Sequence, residues 1–134
     1  MELQGIFRAT LDLTLSPNSG VIQSPRWKES TSIEFTAKHR YIENVITLPP
    51  SGNLTINVSS LGLTQVNFFY IASLEPNRSI KLRFNSDVNG IDLIPTDPSK
   101  KVYFAAVCNF SDLVIENLSP TDPVAIVYSL VEKV

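Results

Sequence analysis

The chain is poor in the residues that most often carry chemistry. Its 134 residues include one cysteine, Cys108, and one histidine, His39. A lone cysteine forms no disulfide within the chain, and this pair cannot supply the ligand set of a Cys- or His-rich metal site. A catalytic thiol would need a histidine beside it, and His39 is far off in sequence. The simpler expectation for Cys108 is a small buried thiol in or beside a strand. Charge is scarce too: 18% of residues are Asp, Glu, Lys or Arg, below the usual quarter, and the net charge is −2. That balance gives no electrostatic ground for nucleic acid or an anionic membrane as partner.

Other absences narrow the field further. No apolar run approaches the roughly 20 residues of a membrane-spanning helix. The opening Met1-Glu2-Leu3-Gln4 has neither the basic nor the apolar region of a signal peptide, so synthesis and folding in a cytoplasm are expected. On that expectation, the Asn-X-Ser/Thr triplets at Asn53, Asn57, Asn77, Asn109 and Asn117 are by-products of an Asn-, Ser- and Thr-rich chain rather than glycan acceptors. There is no Gly-rich phosphate loop and no Gly-X-Ser-X-Gly frame. No window carries an apolar 3.6-residue stripe between good caps, so negligible helix is expected. Nothing asks for a cofactor.

What is present is alternation. From Leu3 to Leu15 the odd positions read Leu, Gly, Phe, Ala, Leu, Leu, Leu, while the even ones are mostly polar. That is the period of a strand with one buried and one wet face. Ser16-Pro17-Asn18-Ser19-Gly20 ends it with turn chemistry. Residues 21–30, containing Trp27, read as an extended connection. Strands are then expected at Ser32–Lys38, Tyr41–Leu48 and around Leu54–Val58. The stretch from Val66 to Ala72 is apolar on both faces and reads as a central strand. Further strands are expected at Ile80–Phe84, Ile91–Ile94, Val102–Val107 (again two-faced), Leu113–Ile115 and Val124–Val131. Nine prolines fall between these runs, as ladder hydrogen bonding demands. The spacing predicts one all-β domain over residues 1–134, a jelly-roll-like sandwich of roughly 8–10 mainly antiparallel strands. Residues 1–20 would form a long first strand and turn, able to act as an inter-subunit arm.

The candidate chemical groupings are sparse. Asp87-Val88-Asn89-Gly90-Ile91-Asp92 places oxygen side chains around a glycine, but the distal bidentate Glu of a calcium loop is missing, and it reads as a hairpin turn. Asp97, Asp112, Glu116 and Asp122 lie on different turns; a glycosidase pair among them would have to meet within about 5–10 Å. Ser79, Lys81 and Arg83, with Arg78, read as a solvated strand face before they read as a basic patch.

In the C-terminal half the residues become familiar. Phe68-Phe69-Tyr70-Ile71-Ala72, Ser79-Ile80-Lys81-Leu82-Arg83-Phe84-Asn85 and Val102-Tyr103-Phe104-Ala105-Ala106-Val107 come in order. Asp112-Leu113-Val114-Ile115-Glu116-Asn117-Leu118-Ser119 and Asp122-Pro123-Val124-Ala125-Ile126-Val127-Tyr128 follow. Residues 64–131 resemble the small β-sandwich virion proteins of tailed bacteriophages. The resemblance implies a capsid-decoration, minor-capsid or tail-associated subunit, a homotrimer located in the virion, with the major capsid or another virion protein as partner. No catalytic residue carries over. The expected contact surface is the first strand with the Trp27 segment, and the two-faced strand: Phe7, Leu11, Leu13, Trp27, Phe68 and Tyr70. The rival class is a carbohydrate- or receptor-binding module with Trp27, Tyr41 or Tyr103 as aromatic platform. A small hydrolase is the third reading.

Overall fold

The computed structural model describes residues 2–13 and 27–133, with side-chain environments for residues 40–132. Among the described residues nine strands form, all paired antiparallel: β1 (Glu2–Leu13), β2 (Trp27–Leu48), β3 (Asn53–Asn57), β4 (Phe68–Ser73), β5 (Ile80–Phe84), β6 (Ile91–Leu93), β7 (Tyr103–Ala106), β8 (Asp112–Asn117) and β9 (Val124–Lys133). Among the described residues the only helical turn is a three-residue 3-10 segment, Ser59–Leu61, closed by Gly62 at φ 78°. Glycine reaches that left-handed region without a Cβ penalty.

One sheet runs β1-β2-β9-β4-β7 and the other β3-β8-β5-β6. Set β1 aside, and two four-stranded sheets remain whose order is that of an eight-stranded jelly roll, with both sheets formed by strands that cross between layers. Period-two alternation supplies the core. Val124, Ile126, Tyr128 and Leu130 of β9 and Phe69 and Ile71 of β4 meet Ile56 of β3, Leu113 and Ile115 of β8, and Ile80 and Leu82 of β5, all buried in one cluster. Phe69 sits at its aromatic centre, with ring centroids 6.0 Å from Phe84 and 5.4 Å from Phe110, both edge-on. Such edge-to-face pairs add to the burial energy.

Two expectations are corrected. The strands expected at 32–38 and 41–48 are one 22-residue strand that already begins at Trp27, not an extended connection through residue 30. At about 3.3 Å per residue it spans roughly 70 Å. It contains neither Pro nor Gly, so nothing stops the ladder. The apparent break is a bulge. Leu3 pairs with His39 and Gly5 with Phe35, so Gln4 alone stands opposite Thr36, Ala37 and Lys38. Bulges of this kind bend and twist a strand without ending it. Second, β7 is not a two-faced buried strand. It is the edge of its sheet, and Tyr103 and Val107 beside it are 72% and 60% exposed. The expected end of the first strand, at residues 14–15, and the turn at 16–20 lie outside the described residues.

The partners of β2 change along its length. Among the described residues, 39–48 pair with β9, whereas 27–35 pair with β1 alone. The register sets Phe7 opposite Ile33, Gly5 opposite Phe35 and Leu13 opposite Trp27, all in one row of alternate positions. The other row sets Arg8 against Ser32 and Asp12 against Lys28. Beyond the last pair of β9 the sheet is therefore a two-stranded ribbon whose two faces differ in polarity by sequence.

Candidate functional site

Three places in the described residues gather polar side chains. The first is the turn end where β2 passes to β3 and β8 to β9. Asn117, at the end of β8, is 3% exposed. Its Nδ2 donates to the carbonyls of Asp122 (2.8 Å), Pro49 (3.0 Å) and Leu48 (3.4 Å), and its Oδ1 accepts from Ser119 N (3.0 Å). Every polar atom of the amide is used, so a glycan could not be attached to it in the folded chain. The group is a staple between two turns, not a reactive centre.

The second place is the opposite end, at the base of the ribbon. Glu132 of β9 is 2% exposed. Its Oε1 accepts from Thr64 N (2.9 Å), Gln65 N (3.2 Å) and the Thr64 hydroxyl. Arg40, its register partner on β2, lies 3.6 Å from Oε2 and donates to the Gly62 carbonyl at 2.8 Å. Burial pushes the Glu132 carboxyl up, but the Thr64 and Gln65 hydrogen bonds and the Arg40 charge outweigh it and hold it below the ordinary glutamate value of 4.5. The clasp ties the loop after β3 to the strand pair from which the ribbon leaves. Glu132→Ala would orphan two backbone N–H groups, and a loss of about 3 kcal/mol in urea unfolding is expected. Because the folded-state value is depressed, the contribution is full above about pH 4.5 and fades as pH falls through the folded value. The acid side of the stability profile should accordingly flatten in the variant.

The third place is a cleft of about 570 Å³ at this same end. It is lined by Asn57 where β3 finishes, by Ser59 and Thr64 in the following loop, by Asn85 just past β5, and by Asn109, Ser111 and Asp112 at the entry to β8. Val58, Leu63 and Phe110 supply buried apolar surface beneath them. Asn57 Oδ1 accepts from the Ser59 hydroxyl (2.8 Å), Asn85 Oδ1 from Ser111 N (2.8 Å) and its hydroxyl (3.0 Å), and Asn109 Oδ1 from Val66 N (2.9 Å). Asn85 holds a left-handed backbone at φ 53°, a conformation asparagine tolerates better than most residues. Sequence reading missed this cleft. Its signal was the repeated Asn-apolar-Ser triplet, Asn57-Val58-Ser59 and Asn109-Phe110-Ser111, whose middle residue is buried while its neighbours line the wall.

Asp87 accepts from Asn89 N and Gly90 N, both at 3.1 Å, and these backbone bonds hold its carboxyl below the usual range. It closes the β5–β6 hairpin, and its neighbour Asp92 pairs instead with Lys81 at 3.6 Å. Arg83 pairs with Glu116, and Arg78 with Glu75 at 3.4 Å, so the strand-face cations are matched by carboxylates. Among the described residues, no group of three or more His, Cys, Asp or Glu side chains could hold a metal ion. Cys108 is half-buried after β7, packs on the core, and its thiol is pushed up by burial.

The expected contact residues are scattered. Phe7, Leu11 and Leu13 lie on β1, and Trp27 opens β2 opposite Leu13. Phe68 is 4% exposed within the chain, and Tyr70 is half-buried on β4. Of the proposed aromatic platforms, Tyr41 is half-buried, with its hydroxyl 3.3 Å from Ser129 Oγ, while Tyr103 is exposed and borders a recess of about 410 Å³ with Thr96, Lys100 and Lys101. Comparison with family models, with curated proteins and with solved structures finds no match to this chain.

Proposed function

We propose that the protein is a non-enzymatic structural subunit of a bacteriophage virion, of the capsid-decoration or accessory type, which self-associates as a trimer and docks on the shell. The observation that carries this reading is the sheet order, β2-β9-β4-β7 against β3-β8-β5-β6, with a long edge strand added to it. The jelly roll is an architecture of capsid proteins, although it also serves lectins and cupins, so fold analogy is one support among two. The edge is the other. β1 is a 12-residue edge strand without proline, and a two-stranded ribbon is marginally stable by itself. Pairing with further copies turns that liability into assembly, and a closed ring leaves no edge unsatisfied.

Light scattering on a sizing column tests the reading. The expected mass is three times the 14.9 kDa of one chain. Phe7→Asp, at a register position opposite Ile33, is expected to shift the population to monomer while leaving the sandwich folded by circular dichroism. Wild-type protein is expected to co-sediment with phage heads. A monomer that stays in the supernatant would overturn the proposal.

A further inference from the structure

We infer that the cleft at the ribbon end of the sandwich binds a neutral, hydroxyl-rich ligand, a saccharide. The inference does not depend on the virion reading; it rests on how the hydrogen-bonding atoms of the cleft are already committed. The Oδ1 atoms of Asn57, Asn85 and Asn109 each accept from a backbone N–H of the protein itself, Ser60 N (3.4 Å), Ser111 N (2.8 Å) and Val66 N (2.9 Å), which fixes which end of each amide is which. Among the described residues their Nδ2 groups have no partner, leaving three NH₂ donors in the lining. The hydroxyl protons of Ser59 and Ser111 are given to Asn57 and Asn85, so those oxygens retain lone pairs and offer acceptors.

The wall thus alternates free donors with free acceptors. A sugar hydroxyl donates and accepts at once, so vicinal hydroxyls match such a wall where a simple anion or cation does not. Charge agrees: Asp112 is the one ionisable side chain in the lining, and its oxygens already accept from Ser86 N (3.1 Å) and face the Ser111 hydroxyl (3.4 Å). Beneath the polar rim, Phe110 is 4% exposed and packed against Phe69 and Phe84, so the floor is a fixed part of the core and recognition falls to the polar rim. The volume of about 570 Å³ lies within the range of small-molecule sites. Since the side chains are held before any ligand arrives, little ordering entropy remains to be lost on binding.

Asparagine-to-aspartate exchanges make the test sharp. Asn57→Asp, Asn85→Asp and Asn109→Asp keep the Oδ1 acceptor that holds each loop and put a second, negatively charged acceptor where each NH₂ donor stood, beside Asp112 of the same lining. The probes are a glycan array for screening, then titration calorimetry with the free mono- or disaccharide that scores highest. Each exchange is expected to weaken binding by about three- to tenfold with the melting midpoint of the single variants little changed, and the triple variant by about 30- to 1,000-fold. Tyr103→Ala, at the separate recess beside β7, is the control and is expected to bind as wild type. No binding to any arrayed glycan at millimolar concentration overturns the inference. So does binding that survives the triple exchange, or binding lost on Tyr103→Ala instead. Light scattering and co-sedimentation of the same variants report on the virion reading separately.

Discussion

Asn117→Leu is expected to destabilise the protein by about 3–5 kcal/mol, read as a fall in the urea midpoint at unchanged slope. The side chains are close in size, so the effect isolates hydrogen bonding from packing. Leucine would leave the Leu48, Pro49 and Asp122 carbonyls without their shared donor and Ser119 N without its acceptor, at a site 3% exposed. Water can reach such a site only by opening the turns that Asn117 holds together. Asn117→Asp sharpens the test. It keeps the acceptor for Ser119 N but points a carboxylate oxygen at three carbonyl oxygens. At neutral pH it is expected to be at least as damaging as leucine. Below about pH 4 the protonated acid can again donate one bond, and part of the loss should return. Equal midpoints for Asn117→Leu and wild type would show that the staple contributes nothing.

Phe69→Ala is expected to cost a similar amount, about 3–5 kcal/mol, for the opposite reason. Phe69 is fully buried between the two sheets, where its ring meets Phe84 and Phe110 edge-on and lies 6.3 Å from Phe104. Alanine leaves a cavity bordered by three rings that belong to β5, β7 and the loop before β8, elements anchored in both sheets. Those strands cannot close over the gap without breaking ladder pairs, so little relaxation is available. A fall of roughly 10–20 °C in the melting midpoint is expected. Phe69→Leu refills most of the volume and should recover about half of it. A loss below about 1 kcal/mol for alanine would mean that the two sheets are not packed as described.

The two variants probe what was legible at different depths. That Phe69 lies in a core strand follows from the apolar run Phe68 to Ala72, although the run does not say which face meets the other sheet. The role of Asn117 was hidden, because the triplet Asn117-Leu118-Ser119 has the same form whether its amide is solvated or buried. Strand type was readable almost throughout, since alternation is a local property and proline and glycine mark its ends. Where two apolar faces coincided, the reading of a central strand held for Val66–Ala72 and failed for Val102–Val107. Val102–Val107 resembles Val66–Ala72 in composition, yet β7 is an edge and β4 is flanked by β9 and β7. A strand's number of neighbours is set by residues distant in the chain, so no local window contains it.

By itself the sequence determined an all-β chain, the approximate place of eight of the nine described strands, and the polarity of the two rows along β1. These follow from side-chain alternation and backbone chemistry within a few residues. Tertiary structure alone decided the jelly-roll order, the continuity of β2 through its bulge, and the convergence of Asn57, Asn85 and Asn109 on one cleft. Strand ends and loops far apart in sequence finish at the same end of the sandwich, and only the antiparallel crossings between the sheets bring them there.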